Sequence, residues 1–559
     1  MIRSLPFLAL AALLAAPPAA SAQEVPDRLP VFRLGEPDVS ERQLQEAARL
    51  IGLDGRATRQ DGALVLGKGA QTAEIDLASG ALWVADRSQL WNPDLRPDLP
   101  SDGRAQEDAR ELLEGLGLLK AQGPFSVEPL GTTRTHAAFF DADRNRRSDH
   151  ELDVRATFGF KVEIEGLSQP VPVLGADYSV SFGDGGKPIA VEGHWLAPRG
   201  VLTEAQTIPA DAAIESLLGM ADLSIERPKA RLVYVSGAPG RAHPALYPAW
   251  AVSGTAKVGS ESVPLREVLL PATEYGPALK PVRAERRAPD FGPQRRSTVP
   301  EEQEGRGPYP TLVPEAWRLD EPFRPGGAEG YKEAATAWIG ASGGLPNSGT
   351  NAGGFVDGLR GPFDAINFNF GDAAAWETDW TTNDDTWVDA ADFVFYTGHA
   401  NGNGWQTAQP SDTFVHFNDV DTAGDHLGAN DLEWLVVAAC GPLQDSRVAG
   451  SGNVFDRWMG MFNGLHLFMG YAAVTYDNVD EGRLLARYAK RGQPLVDAWF
   501  RTAREVQPTN NSTEKIYVGV VYGYEPSKGS PRNDHLHGKG PVVPDSKNPT
   551  RFVGIYTGT

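Results

Sequence analysis

The sequence predicts an α/β fold for the C-terminal half: a mostly parallel sheet with helices on both faces, preceded by small α+β units. Three observations carry this. After residue 323, short near-continuous apolar runs such as FVFYT and EWLVVAA alternate with amphipathic stretches. Strands that are apolar on both faces belong inside a covered parallel sheet. Before residue 275, helical periodicity gives way to strand alternation three times over, as when a helix packs on an antiparallel sheet. Between them the composition shifts to Pro, Arg, Glu and Gly with no period that could bury a face, which marks a linker.

Taken in order, the chain opens with Arg3, the apolar run LPFLALAALLAA and Ala20-Ser21-Ala22 before Gln23. These are the parts of a secretory signal peptide, so residues 1–22 are expected to be removed and the protein to be secreted or periplasmic. The run is too short for a permanent membrane span, and no other stretch approaches the length needed. Residues 23–275 are expected to form an N-terminal α+β pro-region of two or three small units. In it SERQLQEAARLIGL precedes GALVLG, TAEIDL and ALWVAD; AQEDARELLEGLGLL precedes TFGFKVEIEG and ADYSVSFGDGGKPIAVEGHWL; PADAAIESLLGM precedes ARLVYVSG and PAWAVSGTAKV. The linker spans 276–322 and holds two arginine pairs, Arg286-Arg287 and Arg295-Arg296. It reads either as a solvated spacer or as a processing site.

Residues 323–559 form the α/β region. AEGYKEAATAWIGA is expected as a helix, AINFNF, ADFVFYTG and DLEWLVVAA as strands, and VFDRWMGMF as a helix. LHLFMGYAAVTY follows as a strand, EGRLLARYAKRG and PLVDAWFRTARE as helices, and KIYVGVVYGY as the final strand.

Composition narrows the function. A charge of −21 disfavours nucleic acid and anionic membranes, whose phosphates need a basic face. Cys440 is the only cysteine, so no intramolecular disulfide can form. It is either an inert small hydrophobe or a reactive thiol. Two apolar strands end in reactive residues: FVFYT runs into Gly398-His399-Ala400, and EWLVVAA into Cys440-Gly441-Pro442. In parallel sheets, chemistry collects beyond the carboxyl ends of the strands. If these two strands are neighbours, an imidazole stands beside a thiol, the arrangement acyl transfer needs.

An apolar strand ending at His, then one ending at Ala-Cys, resembles the caspase, legumain and gingipain superfamily of cysteine peptidases. The likeness covers residues 330–524. The chain also looks like an uncharacterised family of secreted bacterial proteins sharing WETDW, FYTGH and DLEWLVVAAC segments. The stretch VPVLGADYSVSFGDGGKPIAVEGHW is loosely similar to the PepSY-type modules of protease propeptides. The superfamily resemblance implies Cys440 as nucleophile and His399 as general acid toward the leaving amine. It implies an oxyanion hole from the backbone N–H groups of Ala400 and Cys440, with Gly398 and Gly441 flanking the substrate. Relatives carry glycine where this chain has Ala400, and a positive φ there would strain alanine. The loop that lines the specificity pocket corresponds to Tyr476–Asp480, making Asp477 and Asp480 candidate pocket acids.

Residues 361–446 contain fifteen carboxylates and no Lys or Arg. Such a field attracts cations, so the expected substrate is a peptide or protein cut after a basic residue, and no cofactor is needed. The same acids can instead solvate a surface or bind Ca²⁺. The competing reading is a non-catalytic module that binds a partner or surface polymer through an acidic face rich in tryptophan (Trp376, Trp380, Trp387, Trp405). Several motifs are set aside. Gly340-Ala341-Ser342-Gly343-Gly344 matches a serine-hydrolase elbow as a string, but the expected helix before it and loop after it do not fit. The 141–152 segment lacks the glycine and final acid of a calcium loop. His535 and His537 lack a third ligand, and His466 reads as a core histidine.

Overall fold

A computed structural model describes residues 25–276 and 332–559, apart from residues 38, 242, 364, 409–411, 422–426 and 449. The signal peptide and the linker arginine pairs lie outside the described residues. The chain is a mixed α/β protein in which a network of twenty-one strands runs through both regions.

The N-terminal region follows the expected rhythm. Strand β1 (Arg28–Leu34) leads to helix α1 (Glu41–Ala48), whose start is capped by the Ser40 hydroxyl. Then come β2 (Thr58–Gln60), β3 (Ala63–Lys68), β4 (Gln71–Asp76) and β5 (Leu82–Asp86). Helix α2 (Asp102–Gly115), capped by Ser101, precedes the long strands β6 (Phe125–Asp141) and β7 (Arg146–Val162), then β8 (Val171–Phe182), β9 (Pro188–His194) and β10 (Pro198–Gln206). Helix α3 (Ala210–Met220) precedes β11 (Ser224–Val235), β12 (Ala245–Val258), β13 (Glu261–Pro264) and β14 (Val268–Pro271). Nearly all these pairings are antiparallel. The turn between β6 and β7 holds Asp141 and Asp143 in ion pairs with Arg551, so it is a closed hairpin rather than a calcium loop.

The C-terminal region corrects two expectations. Residues Glu333–Trp338, expected within a helix, form strand β15, and all six are buried. Ala and Glu are good helix formers, but tertiary pairing overrides propensity: β15 is paired in parallel on both sides, with β16 (Ala365–Gly371) and β17 (Phe393–Thr397). A strand covered on both faces shows no alternation to read. The Gly/Asn/Ser-rich stretch expected as a loop is helix α4 (Ser348–Leu359). Its glycines permit close approach to helix α6 (Glu481–Lys490) rather than flexibility: a Cβ on Gly358 would lie 2.4 Å from the Ala486 Cβ.

The remaining elements are β18 (Ala400–Asn401), β19 (Gly404–Gln406), β20 (Phe414–His416), β21 (Trp434–Ala438), α5 (Val454–Trp458), β22 (Leu467–Tyr471), α6 (Glu481–Lys490), α7 (Leu495–Val506), β23 (Tyr517–Tyr524) and β24 (Arg551–Gly558). The order β16-β15-β17-β21-β22 is parallel throughout; β23 and β24 continue it antiparallel. Strand β24 was not expected, and it matters. Its far edge pairs with β6, from Arg551 opposite Asp141 to Tyr556 opposite His136, so the two regions share one sheet.

Buried ion pairs tie the regions further. Glu74 receives Arg491 at 2.7 Å and Arg501 at 3.0 Å, Glu192 receives Arg504 at 3.1 Å, and Arg147 reaches Asp445 at 2.9 Å. Burial disfavours the Glu74 carboxylate, but the two guanidinium groups outweigh it and hold its pKa down at about 2. Trp91 packs edge-on against Phe500 at 5.1 Å across the same boundary. Cutting the chain between Gly276 and Lys332 is therefore expected to leave both halves in one particle. Size-exclusion chromatography of nicked protein in native buffer checks this; two separate peaks would refute it.

Candidate active site

Strands β17 and β21 are parallel neighbours, with Thr397 opposite Ala438. His399 and Cys440 each follow two residues later, so both emerge at the same carboxyl edge. Gly398 lets the chain leave β17 tightly, since a Cβ there would lie 2.2 Å from the Tyr396 hydroxyl oxygen. Gly441 turns the chain after Cys440 with φ at +75°, a conformation that favours glycine.

Both reactive side chains are fully buried. His399 Nε2 donates to the Gly343 carbonyl at 2.8 Å, which makes the neutral ring the Nε2–H tautomer and leaves Nδ1 basic. Burial drives the imidazole down to about 4; the Gly343 and Pro264 carbonyls oppose that shift and the Arg266 charge adds to it. The Cys440 sulfur accepts the Thr475 N–H at 3.4 Å and lies 3.8 Å from the Thr475 hydroxyl. Burial raises this thiol to about 11, against the pull of Arg266 and Thr475. In this closed arrangement both groups are neutral at pH 7, with a thiolate fraction of only ~10⁻⁴. Alkylation of native protein by iodoacetamide should rise about tenfold per pH unit and level off only near pH 11. A rate plateau near neutrality would contradict it.

Ala400 does not have a positive φ, so the feared strain is absent. It sits in β18 opposite Trp405, while Gln406 N donates to the His399 carbonyl. That alternation turns the Ala400 N–H away from β19.

The pocket acids sort differently from expectation. Asp477 is buried at this edge, accepting from Asn347 N at 2.8 Å and the Ser348 hydroxyl at 3.3 Å at the start of α4. Burial lifts its carboxyl to about 6, opposed by Arg266 and Asn347. Asp480 instead binds Arg483 and Arg241 at 2.8 and 2.9 Å, outside the His–Cys edge. A second acid at this edge is Glu481, which the residue pattern did not single out. Its partner is also unexpected: Arg266, from the N-terminal region. Both side chains are fully buried, 3.1 Å apart. A lone arginine inside the apolar run VPLREVLLP was the available signal for a buried charge.

Several acids of residues 361–446 serve the fold. Asp389 accepts from the backbone N–H of Gly428, Asn430 and Leu432, and burial raises it to about 7. Asp372 takes the Gly340 N–H and the Ser342 hydroxyl. The elbow string therefore does follow a strand, β15, but its serine bonds Asp372. Trp376, Trp380, Trp387 and Trp405 are buried, with Trp405 stacked on Trp458 at 5.6 Å. They form core rather than a binding face.

Asp392, Glu433 and His537 do bring a His and two carboxylates together at the opposite, amino end of the sheet. His537 Nε2 lies 3.0 Å from Asp392. Burial opposes the charged ring, but Asp392 and Glu433 outweigh it and raise the imidazole to about 10. His466 is a core histidine as expected, 2.6 Å from Asp534. No helix among the described residues is long and apolar enough to cross a membrane.

Residues 331–558 match the family model of a domain of unknown function (DUF6345). His399, Cys440 and Glu481 fall inside that domain, and Arg266 lies before it. The family description names no chemistry. No curated protein matches the chain. A crystal structure of an uncharacterised protein from Eubacterium rectale ATCC 33656, at 1.45 Å resolution, aligns with 42% of this chain and 79% of its own. The identity is 8% and the TM-score 0.24, values that carry no argument about this site.

Proposed function

We propose that the C-terminal region is a caspase/gingipain-type cysteine peptidase of an exported protein, held closed in this structure and cutting after basic residues. One observation carries the reading: His399 and Cys440 stand two residues beyond the ends of register-matched parallel strands. Five parallel strands, with α4 between β15 and β16 and α5 between β21 and β22, support the caspase-like comparison. The basic preference rests on the buried carboxylates Glu481 and Asp477 beneath the pair.

In the open enzyme the Cys440 thiol gives its proton to His399 Nδ1 as the sulfur attacks the peptide carbonyl carbon and forms a C–S bond. His399 then passes that proton to the leaving amine as the C–N bond breaks. Water then cleaves the thioester, releasing the new carboxyl end and restoring the thiol. A thiol-reactive peptide ending in arginine is expected to label Cys440 only when His399 is present. Labelling that persists unchanged in His399→Ala would refute the dyad.

A second reading has one observation in its favour: both reactive groups are buried and neutral. A permanently closed, non-catalytic caspase-like module would look the same. Under that reading Cys440→Ala leaves every phenotype of the protein intact.

A further inference from the structure

The Arg266 guanidinium sits in a receptor built almost wholly by the C-terminal region. Nη1 donates to the Thr397 hydroxyl at 2.9 Å and the Ala438 carbonyl at 2.7 Å. These are the last residues of β17 and β21, two positions before His399 and Cys440. Nη2 donates to the Tyr476 carbonyl at 2.7 Å and to both oxygens of Glu481 at 3.1 and 3.3 Å. Glu481 is in turn held by Asn351, Tyr471 and Gln507 at 2.7–2.8 Å. The hydrogen-bond partners of this carboxylate all donate to it, and it occupies the first turn of α6, where a negative charge is favoured. Its preferred partner is a planar, permanently charged fork.

The segment that delivers Arg266 crosses the dyad. Strand β13 runs beside β18, which follows His399, and Asn401 of β18 donates to Glu261 at 3.1 Å. Glu267 donates its N–H to the Thr475 carbonyl at 2.8 Å and accepts from Asp477 N at 2.9 Å, so it lies parallel to the chain beside Cys440 as an added strand. Asp222 N, just past α3, also bonds the Ser342 carbonyl and so clasps the neighbouring 340–344 loop.

We infer that Thr397, Ala438, Tyr476 and Glu481 form a guanidinium-binding site for an arginyl side chain, and that residues 264–267 are its internal occupant. The inference deepens the peptidase reading and rests on it for the ligand's meaning: the occupant stands where the arginine of a substrate would bind. A tethered occupant competes at high effective concentration. The intact chain is therefore latent toward dilute arginyl peptides, and exchange of one guanidinium for another leaves Glu481 paired throughout.

Two arms test this separately. In the first, Cys440→Ala and Cys440→Ala/Arg266→Ala proteins are melted with agmatine, or with 1,4-diaminobutane, which lacks the guanidinium. Agmatine is expected to raise the melting temperature of the double variant alone, by at least about 2 °C, and 1,4-diaminobutane to raise neither. The same response in both proteins, or none in the double variant, overturns the site. Should the double variant not fold, refolding yield with each amine reads the same binding: a gain specific to agmatine supports the site, and equal yields overturn it. In the second arm, Arg266→Ala with Cys440 intact is expected to hydrolyse an arginyl peptide amide at least about 100-fold faster than the wild type. Agmatine rescue without hydrolysis keeps the guanidinium site and rejects the peptidase. No rescue rejects the site, whatever the hydrolysis.

Discussion

Glu481→Gln is expected to destabilise the protein by about 3–5 kcal/mol, the cost of leaving a buried charge without its partner. The substitution keeps size and shape, so no cavity contributes. Among the described residues it removes the one carboxylate in ion-pair distance of the fully buried Arg266. It also places an NH₂ group among neighbours that are all donors: Arg266, Asn351, Tyr471 and Gln507. An amide can satisfy one part of that set only by facing another with its own hydrogens. Urea melts of the single variants and of Arg266→Met/Glu481→Gln check the claim. The double variant should recover most of the loss, because removing both charges removes the mismatch. A Glu481→Gln melt within about 0.5 kcal/mol of wild type would show that Arg266 is not held by a buried charge pair.

The second large effect is chemical. In the Arg266→Ala background, Cys440→Ser and His399→Gln are each expected to lower arginyl-amide hydrolysis by at least about a thousandfold. A hydroxyl is a far weaker nucleophile than a thiol, and the imidazole is the acid that protonates the leaving amine. Cys440→Ser should nevertheless fold, since Thr475 beside the sulfur offers the new hydroxyl a partner. Parallel measurement of hydrolysis and melting temperature separates the two effects. Activity surviving in Cys440→Ser would place the nucleophile elsewhere.

Much of this was open to reading from residues alone. The helices α1, α2, α3, α6 and α7 declared themselves by period and by caps such as Ser40 and Ser101. The strands ending at His399 and Cys440 declared themselves as short, wholly apolar runs. The misread elements had a common cause. Strand β15 and helix α4 carry residues whose local preference points the wrong way, and each is fixed by neighbours distant in sequence: two parallel strands in one case, the close approach of α6 in the other. The acidic run 361–446 was visible as charge, yet not as Asp389 and Asp372 turning inward to satisfy backbone N–H groups.

The sequence by itself determined that His399 and Cys440 each end an apolar strand, and that the only thiol is one of the two. Only the tertiary structure decided that those strands are adjacent and in register, and that Arg266 and Glu481, 215 positions apart, meet beneath them. Local pattern reports which face of an element is apolar. It carries no information on which distant charge will fill a buried site, because that depends on the whole set of contacts that closes the sheet.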